Sequence, residues 1–257
     1  MTLDKDILIE VNDVCMKFRL PTEKIDNMKE YVIKAIKGKL HYTNFDVLKN
    51  ISFNVKRGES LGLIGRNGAG KSTLLRIISG IIEPTNGYVR TQGNMVPLLK
   101  LGAGFDQNAT GKENIFLNGA MLGFNHKEMQ KKYDSIVEFS ELEKFMNVPL
   151  KNYSSGMLTR LGFAIAVDVN PDIMLIDEIL SVGDAPFQRK CADKIESLKN
   201  NGVTFIVVSH SMQQINKLCQ KTIWLNNGII ELLDNSELVI KEYLNYCSKY
   251  TNNNTKQ

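Results

Sequence analysis

The sequence predicts an α/β protein built on a parallel sheet, and three observations carry that prediction. Residues 173–176 (Ile-Met-Leu-Ile) and 204–208 (Thr-Phe-Ile-Val-Val) are apolar runs rich in branched side chains, the pattern of strands covered on both faces. A third apolar run, residues 61–64, feeds into a glycine-rich turn and then a helical pattern starting near Lys71. Residues 105–165 read mainly as helix, with stripes such as Ile115, Leu117, Met121 and Leu122, then Ile136, Val137 and Phe139.

Two elements precede the glycine-rich turn. Residues 7–18 alternate apolar and polar positions (Ile7, Ile9, Val11), which predicts a half-buried strand, and a second strand is expected at 51–55. The connection between them, residues 20–46, is too long for a hairpin and must hold structure of its own. Within it Ile25, Met28, Val32, Ala35, Ile36 and Leu40 share one helical face, while Lys24, Lys29, Lys34, Lys37 and Lys39 lie mostly off it. This is a basic amphipathic helix, expected at 26–40. One reading makes it an ordinary surface helix; the other lays it at a membrane face, its lysines on anionic headgroups or a pyrophosphate-linked lipid. The last residues, 251–257, are polar and expected to fray.

Composition bounds the function classes. The chain has 257 residues, 43% of them hydrophobic and 23% charged, with 19 Gly and 6 Pro, which excludes disordered and fibrous classes and fits one large or two small domains. Its net charge of +4 is spread without a block of like charge, so no nucleic-acid partner is inferred. Cys15, Cys191, Cys219 and Cys247 lie far apart with no CxxC pair, which argues against a zinc site or a disulfide framework and fits a reducing cytosol. No window approaches 18 uninterrupted apolar residues and the N-terminus lacks a long apolar core, so neither a membrane span nor a secretion signal is expected.

The strongest motif is Gly65-Arg66-Asn67-Gly68-Ala69-Gly70-Lys71-Ser72-Thr73, which fits GxxxxGK[ST] between a predicted strand and a predicted helix. Glycines let backbone N–H groups turn toward phosphate oxygens, and the helix N-terminus adds partial positive charge. Lys71 would reach the β- and γ-phosphates and Ser72 would ligate Mg²⁺; Arg66 and Asn67 are assigned backbone roles only. The second motif is the apolar strand 173–176 ending in Asp177 and Glu178, at the edge where an open α/β sheet binds ligands. Asp177 would hold Mg²⁺ and Glu178 would position or deprotonate the attacking water. Nucleotide binding follows from the first motif, and hydrolysis from the pair.

With these residues in place, the chain resembles the nucleotide-binding subunit of an ATP-binding cassette (ABC) transporter, from residue 7 to about 246. Tyr153-Ser154-Ser155-Gly156-Met157 stands where that family carries its LSGGQ signature: Ser154 and Gly156 match, whereas Ser155 and Met157 depart. YSSGM, the stretch 178–191 after Glu178, and LLKLGAGFDQNATGKEN at 98–114 are similar to exporters of O-antigen and teichoic acid polymers. Ser181 and Asp184 stand at the ends of the family's D-loop, and His210 matches its switch histidine; His41 and His126 are read as ordinary imidazoles. The family's Q-loop glutamine is missing, since Lys100 or Leu101 stands near its place and Gln107 comes too late. An aromatic residue normally stacks on adenine; Phe18 is the candidate, with Phe45 and Tyr42 competing.

The resemblance implies a P-loop NTPase (RecA-like) core with an N-terminal antiparallel β subdomain and an inserted α-helical subdomain. It implies one nucleotide-binding domain at 1–246, with 1–104 and 166–246 as the ATPase core, 20–46 as an inserted amphipathic helix, 105–165 as the helical subdomain and 247–257 as a polar tail. It implies ATP and Mg²⁺ as cofactors and catalytic roles for Lys71, Glu178 and His210. ATP contacts are implied for 65–73, Phe18, Ser154, Ser155, Gly156 and Asp184, with metal ligation by Ser72 and Asp177. It also implies a head-to-tail homodimer at the cytoplasmic face of the membrane, separate transmembrane permease subunits docked near residues 98–110, and a lipid-linked polysaccharide as cargo. Since the sequence ends soon after His210, the C-terminal carbohydrate-binding domain that some relatives carry is not expected. The alternatives are a drug or lipid exporter subunit, a soluble ABC protein of translation or DNA repair, and a P-loop kinase or GTPase. A single cassette argues against the second, and the signature, D-loop and histidine against the third.

Overall fold

The computed structural model describes residues 6–21, 42–98, 102, 104–177 and 183–254. The expected basic helix at 26–40 lies outside these residues, as do Lys100, Leu101, Glu178 and Ser181.

Two sheets organise the chain. Strands β1 (Ile7–Pro21) and β2 (Tyr42–Lys56) form a long antiparallel ribbon, and β4 (Asn86–Thr91) pairs antiparallel with the other edge of β1, giving the order β2-β1-β4. Both ribbon strands are longer than the sequence predicts. The span 20–46 is correspondingly narrower, since residues 20–21 and 42–46 pair across the ribbon, Leu20 opposite Thr43 and Pro21 opposite Tyr42. This outer part of β2 is mostly exposed, so it shows none of the apolar alternation that marks residues 7–11.

The second sheet has the order β5-β6-β7-β3-β8-β9, formed by β3 (Ser60–Ile64), β5 (Met95–Leu98), β6 (Ile173–Asp177), β7 (Thr204–Val208), β8 (Lys221–Asn226) and β9 (Ile229–Asn235). Its pairs are parallel except β8–β9. Side chains alternate between two apolar layers, as the period of two requires. Ile173, Leu175, Ile206 and Val208 enter a layer shared with β1, β2 and helix α1 (Lys71–Ile78). Met174, Ile176, Phe205 and Val207 enter the opposite layer, packed by helices. Burial on both faces explains why these strands read as unbroken apolar runs.

The helices of that second layer are α2 (Gly111–Met121), α3 (His126–Ser140), α4 (Ser155–Asp168) and α5 (Ala185–Asn200), followed by α6 (Met212–Leu218). Capping boxes Thr110/Glu113 and Asn125/Glu128 start α2 and α3, satisfying N–H groups that have no partner within the helix. Ahead of α2 the buried amide of Asn114 donates to the carbonyls of Asp106, Ala109 and Thr110 at 2.9, 3.2 and 3.0 Å and accepts from the Asp106 N–H at 2.8 Å. Phe163 of α4 meets Phe139 and Phe187 with ring centroids 6.0 and 6.5 Å apart, joining α3, α4 and α5. The C-terminal helix α7 (Ser236–Asn254) lays Tyr243 and Tyr246 on Trp224 of β8, centroids 5.7 and 5.0 Å apart.

Two predictions follow from the packing. Phe163→Ala removes a fully buried ring and lowers unfolding free energy by about 3–5 kcal/mol, measured by denaturant titration. Burial pushes the thiols of Cys191 and Cys219 up to about 12, so they are protonated at pH 8. Both resist iodoacetamide in the folded chain at that pH and react once it is unfolded, as mass spectrometry of the labelled peptides would record.

Candidate nucleotide site

The parallel register gathers the chemistry at one edge. Val208 pairs with Leu63 on one side and Asp177 on the other, so the loop after β3, the end of β6 and the turn after β7 leave the sheet side by side. The loop conforms to its walls through glycine. Gly65 has φ +148°, and a Cβ there would collide with the carbonyl oxygen of Leu225 in β8. Gly70 begins α1 at φ +105° with no side-chain cap, and a Cβ there would come within 2.7 Å of Leu48 Cδ2 and 3.0 Å of the Val47 carbonyl oxygen. A glycine N-cap thus places no side chain over the N–H groups of the first helical turn, the groups with which a helix start can receive an anion. Lys71 is buried beside them, its Nζ donating to the carbonyls of Gly65 at 2.7 Å and Arg66 at 3.1 Å.

A cleft of about 440 Å³ lies over this loop, lined by Asn67, Gly68, Gly70, Lys71, Ser72 and Thr73, with His210 at one side and Phe45 and Val47 at another. His210 follows the buried Ser209, whose hydroxyl donates to Gln214 Oε1 at 2.9 Å and accepts the Ser211 N–H at 3.0 Å. The turn that carries the imidazole is thereby fixed to α6.

Of the aromatics considered for adenine stacking, one borders the cleft. Phe45, 57% exposed, lines it, whereas Phe18, 38% exposed and directly opposite Phe45 in the β1–β2 register, is not among its lining residues. Tyr42 has its ring face covered by the Arg19 guanidinium, 4.2 Å from the centroid. Arg66 and Ala69 line a smaller niche of about 140 Å³ with Asn226, Asn227 and Tyr246, and Asn67 borders both spaces. Sequence reasoning missed Val47, and with it Leu48 and Leu225, whose atoms make glycine necessary at positions 70 and 65. Nothing in their own apolar character distinguishes them from core.

Other predicted site residues lie elsewhere on the chain. Ser154 caps α4, its hydroxyl accepting the Met157 N–H at 3.2 Å, and Ser154 and Ser155 are exposed. A Cβ on Gly156 would find nothing nearer than Ser154 Oγ at 3.8 Å, so the chain's own packing does not demand glycine there. Asp184 heads α5 without capping it; its carboxylate instead accepts from Arg160 at 2.7 Å. Neither the signature residues nor Asp184 line the cleft.

Among the described residues no cluster of three His, Cys, Asp or Glu side chains forms a protein-only metal cage. The donor set still suits Mg²⁺, which takes hard oxygen ligands and is held by one or two protein groups together with phosphate oxygens. The exposed Ser72 hydroxyl borders the cleft, and the half-buried Asp177 carboxylate ends the strand beside it. The two glycines give a test of this geometry. Gly65→Ala strains a positive-φ position and costs about 1–3 kcal/mol before any collision is counted, whereas Gly156→Ala leaves the melting temperature near wild type in differential scanning calorimetry.

Residues 48–181 match the ABC transporter family model. Over 196 residues the chain is 46% identical to the O-antigen export system ATP-binding protein RfbB of Klebsiella pneumoniae, covering 76% of this chain and 80% of that protein. It is 43% identical to the teichoic acids export ATP-binding protein TagH of Lactiplantibacillus plantarum over 249 residues, 97% of this chain and 66% of that one. A solved ATP-binding subunit of an ABC transporter shares the fold with a TM-score of 0.73 at 20% identity, over 92% of this chain and 93% of that one. A dimeric bacterial ABC transporter cassette does so with a TM-score of 0.67 at 22% identity, over 89% and 99%. The chain belongs to the ABC transporter family, as one of its ATP-hydrolysing subunits.

Proposed function

We propose that this ATPase powers export of a lipid-linked polysaccharide, such as an O-antigen or a teichoic acid, across the cytoplasmic membrane. The observation that supports the cargo is the identity of 46% and 43% to subunits named for O-antigen and teichoic acid export, over most of this chain in the second case. The chain would form one nucleotide-binding domain at 1–246, with its ATPase core at 1–104 and 166–246, helical subdomain at 105–165 and polar tail at 247–257. It would sit at the cytoplasmic face of the membrane against separate permease subunits; no helix among the described residues is long and apolar enough to cross a bilayer.

The cleft supports a division of roles. Loop amides of 65–73 would surround the phosphates, and Lys71 would exchange its carbonyl partners for β- and γ-phosphate oxygens. Ser72 and Asp177 would hold Mg²⁺, which when bound offsets charge on the β- and γ-phosphate oxygens. His210, on the cleft wall, would contact the γ-phosphate, and Glu178 would orient the attacking water and take its proton. Phe45 would stack on adenine, because it borders the cleft and Phe18 does not.

Ser154, Ser155 and Gly156 are exposed or half-buried and lie outside the cleft of their own chain. They would therefore cover the γ-phosphate of ATP held by a second copy, in a head-to-tail homodimer that ATP closes and hydrolysis reopens. A dimeric cassette of the same fold supports that arrangement.

Three measurements test the reading. The wild-type chain hydrolyses ATP, whereas Glu178→Gln loses roughly 10²–10⁴-fold in kcat and elutes as a dimer only with MgATP in size-exclusion chromatography; a variant that keeps full turnover would refute the role of Glu178. Phe45→Ala weakens ATP binding by about 1–3 kcal/mol in isothermal titration calorimetry, while Phe18→Ala changes it less. Reconstituted with its permease in vesicles, the chain couples ATP hydrolysis to movement of a lipid-linked glycan; stimulation by unrelated lipids or drugs alone would overturn the cargo.

A further inference from the structure

The helix α7 reaches from the core to the edge of the phosphate loop. One of its faces carries Ser236, Val239, Ile240, Tyr243 and Tyr246 at helical spacing. Its first turn is fixed in the core: the buried Ser236 hydroxyl donates to the Cys219 carbonyl at 2.8 Å and meets the Thr222 hydroxyl at 2.8 Å, and Val239 is fully buried. The face then runs to Trp224 of β8, on which both tyrosine rings pack. Tyr246 also lines the niche beside the cleft, together with Asn226, Asn227 and the loop residues Arg66, Asn67 and Ala69. The charge of Arg66 is felt on the helix. Burial pushes the Tyr243 phenol up to about 12, the hydrogen bond with Cys247 acts in the same direction, and the Arg66 guanidinium opposes both.

The strand that α7 covers is also the wall against which the phosphate loop is folded. The Leu225 carbonyl abuts Gly65 closely enough to forbid a Cβ there. Gly228, in the turn after β8, meets the carbonyl of the cleft residue Val47 in the same way, and its own carbonyl accepts the Lys49 N–H at 2.8 Å. Within one short stretch, Trp224 packs on the helix, Leu225 on the loop and Gly228 on the cleft wall. Close packing of this kind carries position from one element to the next, because it leaves no slack to absorb a shift. Asn67, which borders both the niche and the cleft, makes the route a direct one.

We propose that Tyr246 is a positioning residue for nucleotide binding: its ring, packed on Trp224, closes the niche beside Arg66 and holds the phosphate loop in the posture that receives the phosphates. The inference rests on the reading that residues 65–73 hold the phosphates, and it gives the Arg66 side chain a role beyond that of its backbone. Without the ring the loop populates postures that do not bind, and affinity falls with the competent fraction. Such a brace serves ground state and transition state alike, so it is read in affinity and not in kcat.

The test is isothermal titration calorimetry of the full chain with MgADP, beside steady-state hydrolysis of MgATP. Tyr246→Ala is expected to weaken MgADP binding about threefold to thirtyfold and to raise KM for ATP with kcat little changed, while Tyr246→Phe, which keeps the ring, binds as wild type does. Arg66→Ala weakens binding as well, and adding Tyr246→Ala to it weakens binding no further. Val239→Ala loosens the same helix from the core while leaving the niche residues in place; it lowers the melting temperature and keeps wild-type affinity for MgADP. Wild-type affinity in Tyr246→Ala, a loss confined to kcat, equal weakening in Tyr246→Phe or in Val239→Ala, or losses that multiply in the double variant would overturn the proposal. Lys71→Ala is run in parallel. If it binds MgADP as wild type does, the reading of the phosphate loop fails and this inference with it; if it loses binding while Tyr246→Ala keeps wild-type affinity, only the role of Tyr246 is lost.

Discussion

Burial of the central strands on both faces is the constraint on which the rest depends. A strand covered above and below can hold a polar side chain only where a hydrogen-bond partner meets it, so its middle is a poor place for groups that must face a ligand. Chemistry is therefore displaced to the strand ends, and parallel pairing brings several like ends to one edge. The register of Val208 with Leu63 and Asp177 is how this chain does so. The same two-sided burial gives α1 its seat, because Leu74, Leu75, Ile77 and Ile78 fill the layer between the parallel sheet and the β1–β2 ribbon. The phosphate loop is thus the rim of a core, its course set by the close packing behind it.

That close packing requires glycine, and the two kinds of glycine in the site differ. Gly65 and Gly70 are needed because atoms of the same chain, Leu225 and Leu48 with the Val47 carbonyl, approach too closely for any side chain. Gly156 has open space around it. A glycine that its own fold does not require points to a requirement from outside, and in the proposed dimer that requirement is the approach of the neighbour's nucleotide.

Much of this was legible in the sequence. The apolar runs at 173–176 and 204–208 announced the two-sided strands, and the spacing from Gly65 to Thr73 announced the loop with its strand and helix. Strand lengths were less legible, since the outer part of β2 is mostly exposed and carries no alternation to read. Phe18 and Phe45 could not be told apart in the sequence for a related reason: they are paired neighbours of the same residue type, and only three-dimensional position separates them. Tyr246 was invisible as a neighbour of the phosphate loop because it stands far along the sequence from Arg66, and only the packing of α7 on β8 brings both to one niche. Pairings of that kind follow from packing and leave no periodic trace.

The contact of α7 with β8 has a spectroscopic consequence. Trp224 is the single tryptophan of the chain, and it precedes Leu225, whose carbonyl abuts Gly65. Tyr243 and Tyr246 close over the indole, and Tyr246 borders the niche that also receives Arg66 of the phosphate loop. The indole therefore senses two things at once, the seating of the C-terminal helix and the posture of the loop behind the phosphates. Its emission wavelength is an intrinsic optical signal for both, free of interference from any second indole.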